Sequence, residues 1–271
     1  MKACMQDNIV IIIQARMTSS RLPGKVLMPI LGKSLLVRMV ERVQNTAYPA
    51  KIVVATSTDK SDDAIQQEAL SNNILCYRGS MNNLLERHYK AAKLYGANIV
   101  LKIPSDCPLI DPRIIDKTLD FYYKYKREYD YVSNLHPASY PDGNDVEIMT
   151  IDCLQRAMEM AHQSWELEHT TPVIWEHPEY FKIGNLSWAT GLDLSMSHRF
   201  TIDYIEDYHF IVKVFEHLYP YKNNFSCNDI LQLLELHPEI YQINEKYAGV
   251  NWYRNHLSNL RTITPQQTKQ I

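Results

Sequence analysis

The stretch Ile9–Leu27, IVIIIQARMTSSRLPGKVL, decides how this chain is read. Ile9, Val10, Ile11, Ile12 and Ile13 are all β-branched, stiff at χ1 and well suited to a sheet interior, so they predict a buried strand. The strand empties into a polar segment carrying Arg16, Arg21 and Lys25, with helix-forming sequence beyond it. Strand, cationic loop, then helix is the layout with which α/β proteins hold a polyphosphate at the carboxyl edge of a sheet. The segment has a single glycine, Gly24, so backbone amides alone do not make a cradle. Side chains must supply the positive charge, which suits Arg16 and Lys25 flanking a turn at Leu22-Pro23-Gly24; otherwise the loop is merely solvated. Gly32-Lys33-Ser34 ends like a Walker A loop, but the first glycine of that motif would fall at Leu27, and no G-x-G-x-x-G occurs.

Outward from this stretch, strand-like and helix-like runs alternate. Ser34–Gln44 carries Leu35, Leu36, Met39, Val40 and Val43 at helical spacing. Lys51–Thr56 reads as a strand, Asp62–Ser71 as a helix, Ile74–Tyr77 as a strand and Asn82–Tyr95 as a helix. Asn98–Ile103 is a further strand, and a helix starts after Pro112. This rhythm predicts an α/β fold, a mostly parallel twisted sheet covered by helices on both faces. The second half is less regular, with strands expected at Tyr131–Ser133, Asp145–Ile151, Phe181–Leu186 and Phe200–Ile202. Helices are expected over Ile151–His162, Glu206–Leu218 and Asp229–Leu236. The polar tail from Thr262 is expected to fray.

Composition narrows the partners. A formal charge of −3 argues against broad binding to nucleic acid, while leaving room for a local phosphate pocket. The tyrosine-rich run Phe121–Tyr131 (FYYKYKREYDY) therefore reads as a helix surface or subunit interface rather than a base-stacking platform. Cys4, Cys76, Cys107, Cys153 and Cys227 are scattered and never form C-x-x-C, which points to a reducing, cytoplasmic setting. No apolar run approaches the roughly 20 residues of a membrane helix, and no signal-like segment is seen.

Two further segments end in acids. In Ile103-Pro104-Ser105-Asp106-Cys107-Pro108, a strand ends beside Asp106, placing a carboxylate on the side of the sheet where the cationic loop emerges. Such a carboxylate suits Mg²⁺, which takes oxygen ligands from one or two carboxylates plus substrate phosphates. Asp111, before Pro112, is the better helix cap. In Arg199–Asp207 (RFTIDYIED), Asp203 could face Asp106 and complete a two-carboxylate metal seat, with Glu206 and Asp207 complementing a helix dipole. In PDGNDVE (141–147), alternation puts Asp145 and Glu147 on one strand face, which lines a cleft or faces solvent. Trp165, Trp175 and Trp188 either close a pocket or pack.

Several motifs in order resemble the cytidylyltransferases, with the nearest likeness to the spore-coat polysaccharide biosynthesis protein F family. They are QARMTSSRLPGKVL, VATSTDKSDD (Val54–Asp63), YRGSMNNLLERH (Tyr77–His88) and SDCPLIDP (Ser105–Pro112). YPDGNDVEI (Tyr140–Ile148), EHTTP (Glu168–Pro172) and RFTIDYIEDY (Arg199–Tyr208) complete the set, over roughly residues 8 to 245. The resemblance implies a nucleotide-diphospho-sugar transferase fold, like the type-A glycosyltransferases, and Mg²⁺-dependent transfer of CMP from CTP to an acidic or amino sugar, in a homodimer. It implies a nucleotidyltransferase domain over 1–225, with a sugar-binding and dimerisation insertion around 133–198, and a helical appendage over 226–271. Arg16, Lys25 and Asp106 would be catalytic, and Asp106 and Asp203 would hold the metal. Gln14, Ala15, Arg16, Arg21, Lys25 and Ser105 would bind the nucleotide, with Arg78, Ala55 and Ser57 beside base and ribose. Asp142, Asp145, Glu147 and His169 would face the sugar. Pro104 departs from the octulosonate enzymes, which carry glutamine there in Q-G-D-x-P, so neither their cytosine contact nor their sugar identity carries over to this chain. A glycosyltransferase using a preformed nucleotide sugar, or a non-catalytic nucleotide-binding protein, are the alternatives on this fold.

Overall fold

A computed structural model describes residues 7–126 and 128–271; Cys4 and Arg127 lie outside them. The chain runs β1 (Ile9–Gln14), β2 (Pro29–Ile30), β3 (Lys33–Ser34), α1 (Leu35–Val43), β4 (Ala50–Ser57), α2 (Asp63–Ser71), β5 (Leu75–Gly79) and α3 (Leu84–Leu94). It continues through β6 (Ile99–Pro104), α4 (Pro112–Lys124), β7 (Tyr131–Ser133), β8 (Glu147–Thr150), α5 (Ile151–Met160), α6 (Ser164–His169) and α7 (Pro172–Trp175). β9 (Ile183–Asn185), α8 (Ile205–Leu218), α9 (Cys227–Leu236) and α10 (Pro238–Tyr241) follow. The main sheet has seven strands in the order β5-β4-β1-β6-β8-β7-β9. Every neighbouring pair is parallel except the two made by β8, which runs against both β6 and β7. The expected α/β architecture, a mostly parallel sheet, is what the chain forms.

β1 is central because both of its faces are apolar. Ile9, Ile11 and Ile13 enter one core with α1, α4 and α8, while Val10 and Ile12 enter a second core with α3, α5 and α7. Each fully buried isoleucine contributes roughly 1.5–3 kcal/mol of hydrophobic stabilisation. The helices start where polar side chains satisfy their free amides. Ser34 accepts from Val37 N, Asn83 from Glu86 N and Thr150 from Cys153 N. Asp111 caps α4, with Pro112 at its first turn, as the sequence predicts.

The structure corrects two expectations. Phe200–Ile202 is not a strand of the sheet: the segment makes one bridge, Arg199 to Asp142, and Ile202 N donates to Asp106 O at 2.9 Å. It docks on the loop after β6 because β8 already fills the sheet position beside that strand. The tail from Thr262 is folded back rather than frayed. Thr262 N donates to Glu176 Oε1 at 3.0 Å, Lys269 N to Gly249 O at 2.7 Å, and Ile263 is buried in the second core. Among the described residues no helix is long and apolar enough to cross a membrane, and Cys76, Cys107, Cys153 and Cys227 are free thiols.

Candidate active site

The loop after β1 is closed by its own backbone and anchored on a neighbouring turn. Gly24 N donates to Met17 O at 2.9 Å, and Met17 N to Asp62 Oδ1 at 2.7 Å. Gly24 has φ 71°, a left-handed conformation for which glycine is the natural residue, and it turns the chain so that Lys25 opens a short 3-10 helix pointing inward. The Lys25 ammonium is buried. It donates to Ile202 O at 2.6 Å and Asp203 Oδ1 at 2.9 Å, and lies 3.5 Å from Asp106 Oδ2. Burial pulls its pKa down, but Asp106 and Asp203 together outweigh that and hold it above the usual lysine value.

Asp106 follows β6, and Asp203 arrives from the bridged Arg199 segment. Asp203 is surrounded by cations: Arg21 Nη2 lies 2.6 Å from Oδ1 and Arg199 Nη2 donates to Oδ2 at 3.0 Å. Burial raises its pKa, yet Lys25, Arg21 and Arg199 overcome this and bring it to about 2. Asp106 is less occupied. Its side chain is 33% exposed, and its ion-pair contact is the one at 3.5 Å to Lys25. Arg199, itself buried, holds the arrangement together. Besides Asp203 it donates to Asp207 Oδ1 at 2.9 Å, Asp142 Oδ2 at 3.3 Å and Val250 O at 2.7 Å. Asp207 is therefore more than a helix-dipole partner, since it also accepts from Asp203 N at 2.8 Å and Tyr204 N at 3.0 Å.

The opposite wall combines acids, neutral imidazoles and aromatic rings. Lys102 and Glu147 face each other in the β6–β8 register as a buried ion pair, and Tyr131 donates to Glu147 Oε2 at 2.6 Å. Burial acts against the Glu147 charge, but Lys102 prevails and its pKa is lowered. Asp145 accepts from Gly143 N at 3.2 Å, and burial, reinforced by Asp106, raises its pKa to about 7. His169 stacks on Trp252 with ring centroids 3.8 Å apart; burial, then Lys102, lower its pKa to about 3, so the ring is neutral. His136 is neutral for the same reason, at about 4, and stacks on Trp175 at 4.3 Å.

All this surrounds one cavity of about 700 Å³. Gln14, Ala15, Arg16, Arg21, Lys25, Ser105, Asp106 and Asp203 line it on the side of the cationic loop, and Asp142, Asp145, Glu147 and His169 on the other. Ala55, Ser57 and Arg78 are not among its lining. Ala55 and Ser57 are buried in the last turns of the β4 pleat rather than in a loop, and Arg78 is spent on the chain itself. Its guanidinium donates to Ser57 O at 2.7 Å, Asp59 O at 2.7 Å and Asp63 Oδ1 at 2.6 Å. Arg16 pairs with Glu168 at 3.2 Å across the mouth. Sequence reasoning missed Lys102, His136 and Trp252, and it gave no role to Arg199 although that residue opens the RFTIDYIED motif. A lysine inside the strand-like run NIVLKI was a visible signal, because a charge in a buried strand requires a partner. His136 and Trp252 had no local pattern to mark them.

A family model described as cytidylyltransferase matches residues 10–251. The chain belongs to the cytidylyltransferase family. Among its relatives is the spore coat polysaccharide biosynthesis protein SpsF of Bacillus subtilis, 29% identical over 86% of this chain and 96% of that protein. A solved cytidylyltransferase from Leptospira borgpetersenii superposes with a TM-score of 0.82 at 32% identity, covering 88% of this chain and 98% of the other. The fold is also that of CMP:2-keto-3-deoxy-manno-octonic acid synthetase, solved with CTP, at a TM-score of 0.59 and 18% identity, over 77% of this chain and 98% of that one. The cytidylyltransferase is thus a nucleotidyltransferase-family enzyme related to SpsF and to the CMP-sugar synthetases.

Proposed function

We propose that this cytidylyltransferase transfers CMP from CTP to an acidic or amino sugar, with release of pyrophosphate, in the synthesis of a surface polysaccharide. The observation that carries the reading is the convergence of Lys25 on Asp106 and Asp203 in a cavity also lined by Arg16 and Arg21. In the reaction a sugar oxygen attacks the α-phosphorus of CTP; the new P–O bond forms as the bond to the β-phosphate oxygen breaks. Arg16, Arg21 and Lys25 offset charge on the triphosphate and on the leaving pyrophosphate, exchanging their present carboxylate partners for phosphate oxygens.

The donor set fits Mg²⁺. Asp106 offers a partly exposed carboxylate with hard oxygen donors, and Asp203 lies on the far side of the same ammonium. When bound, the ion would neutralise phosphate charge and lower the pKa of the attacking hydroxyl. Arg21 and Lys25 occupy Asp203 Oδ1, so their turning toward the phosphates is what would free that oxygen. Asp142, Asp145, Glu147 and His169 form the wall that would receive the sugar, with carboxylates to accept from hydroxyl or amino groups.

Pyrophosphate release from CTP with Mg²⁺ and a panel of ulosonic acids and amino sugars tests the reading. Asp106→Asn and Lys25→Ala are each expected to lower turnover by about 10² to 10³ while the thermal melt remains cooperative. Near-normal turnover in either variant removes that residue from the mechanism. Absence of pyrophosphate release with every sugar in the panel removes the reaction.

A further inference from the structure

The family match ends at residue 251, and the chain beyond it returns to the cavity wall opposite the cationic loop. Trp252–Asn255 forms a short 3-10 turn; Trp252 and Tyr253 line the cavity, as do Gln266 and Gln267 farther along. His169 stacks on Trp252 at 3.8 Å with 12° between the rings, and Tyr253 meets the indole edge-on at 4.8 Å. The segment is fastened at Glu176, which directly follows α7 and is 2% exposed. Glu176 Oε2 accepts from Arg261 N at 2.5 Å, and Oε1 from Thr262 N at 3.0 Å and from the Thr262 hydroxyl. Among the described residues, every hydrogen bond to this carboxylate comes from Arg261 or Thr262. A buried carboxylate satisfied by one segment holds that segment, since its release would leave the charge without partners. Leu260 and Ile263, on either side, are buried in the second core. Asn251 Nδ2 donates to Gln267 O at 3.0 Å, so the segment closes on its own beginning.

We propose that residues 252–271 form a strap, fastened by Glu176, that positions the acceptor sugar through Trp252; the proposal rests on the cytidylyltransferase reading of this cavity. Trp252 fixes the plane of His169, so this wall presents flat, uncharged rings to the C–H groups of a sugar. Asp142 and Asp145 are left for its polar groups, the usual division of labour in a small-molecule pocket. Arg21 and Lys25, which would hold the triphosphate, pair with Asp203 instead of the strap. Loosening the strap therefore acts on the sugar and spares CTP. Glu176 and Trp252 are positioning residues: Trp252 acts through His169, and Glu176 through the chain that carries Trp252.

Steady-state pyrophosphate release by the intact chain, with CTP and each sugar of the panel above varied in turn, tests this. Trp252→Ala is expected to raise KM for the sugar about tenfold, the scale of a lost aromatic pair, with KM for CTP changed by less than about twofold. Trp252→Phe keeps a stacking face and is expected to recover most of the loss; it also serves if the alanine variant does not fold. Glu176→Gln sets an N–H against one of the amides it now accepts from, and is expected to raise the sugar KM in the same selective way. In that variant the amides of Arg261 and Thr262 should exchange with deuterium about tenfold faster or more, while those of β1 keep their wild-type rates. Equal rises in the two KM values, or a fall in melting temperature with both KM values unchanged, would make the strap purely structural and overturn the proposal. Unchanged exchange at Arg261 and Thr262 would remove Glu176 as the fastening. A wild type that releases pyrophosphate with none of the sugars overturns the functional reading and the proposal with it, whereas turnover without a selective change in the sugar KM overturns the proposal alone.

Discussion

Burial pushes the pKa of both Asp203 and Asp145 upward, and the charges around each decide whether that push prevails. Asp203, ringed by Lys25, Arg21 and Arg199, titrates at about 2, below the ordinary 3.8, so the stability it contributes is complete above pH 3.8 and is lost as pH falls through 2. Asp145 is the reverse case. Its folded pKa of about 7 exceeds the ordinary 3.8, so the folded state holds the proton more tightly and stability falls as pH rises from about 4 to about 7. Asp145→Asn removes that loss. Its melting temperature relative to wild type is expected to be more favourable at pH 8 than at pH 4, measured without nucleotide. A pH-independent difference would show that Asp145 is not held in a protonated state by its surroundings. His169, already neutral above about pH 3, should contribute no step near pH 6 to either profile.

Among the elements, those that follow directly from local sequence are the ones whose side chains carry their own instructions. The β-branched run of β1, the apolar stripe of α1 and the Asp111-Pro112 start of α4 were legible because each is a property of adjacent residues. The RFTID segment was misread as a strand, since its alternation suits one; its partner is the turn at Asp142, distant in sequence. Gly143 makes that contact close. It has φ 99°, and a Cβ there would lie 2.7 Å from Phe200 C and Thr201 N, both backbone atoms that cannot swing aside. Gly143→Ala is expected to destabilise the protein by about 2–4 kcal/mol, from the backbone conformation plus the clash, and to displace Asp142 and Asp203 together. Denaturant unfolding gives the first quantity, and CTP affinity reports the second. A variant of wild-type stability would mean that the turn and the RFTID segment separate at little cost.

In the whole molecule, the candidate site is assembled at one level of the sheet. Gln14 and Pro104 are register partners, so the loops that follow β1 and β6 leave side by side, which is why Lys25 and Asp106 could be brought together from sequence alone. The opposing wall draws on residues 134–147, 164–175 and 249–253, and nothing local links Trp252 to His169 or Val250 to Arg199. That half of the cavity exists only in three dimensions. The two-faced burial of β1 has a consequence for how the protein fails under stress. A slip of one residue would exchange every side chain between two separately packed interiors, so this strand has no neighbouring alignment to relax into. The amides of Ile11, Ile12 and Ile13 should accordingly be among the slowest to exchange with deuterium, opening only when the entire molecule opens. The loop bearing Lys25 would then be free to respond to a ligand at its tip while its root stays fixed until the chain unfolds.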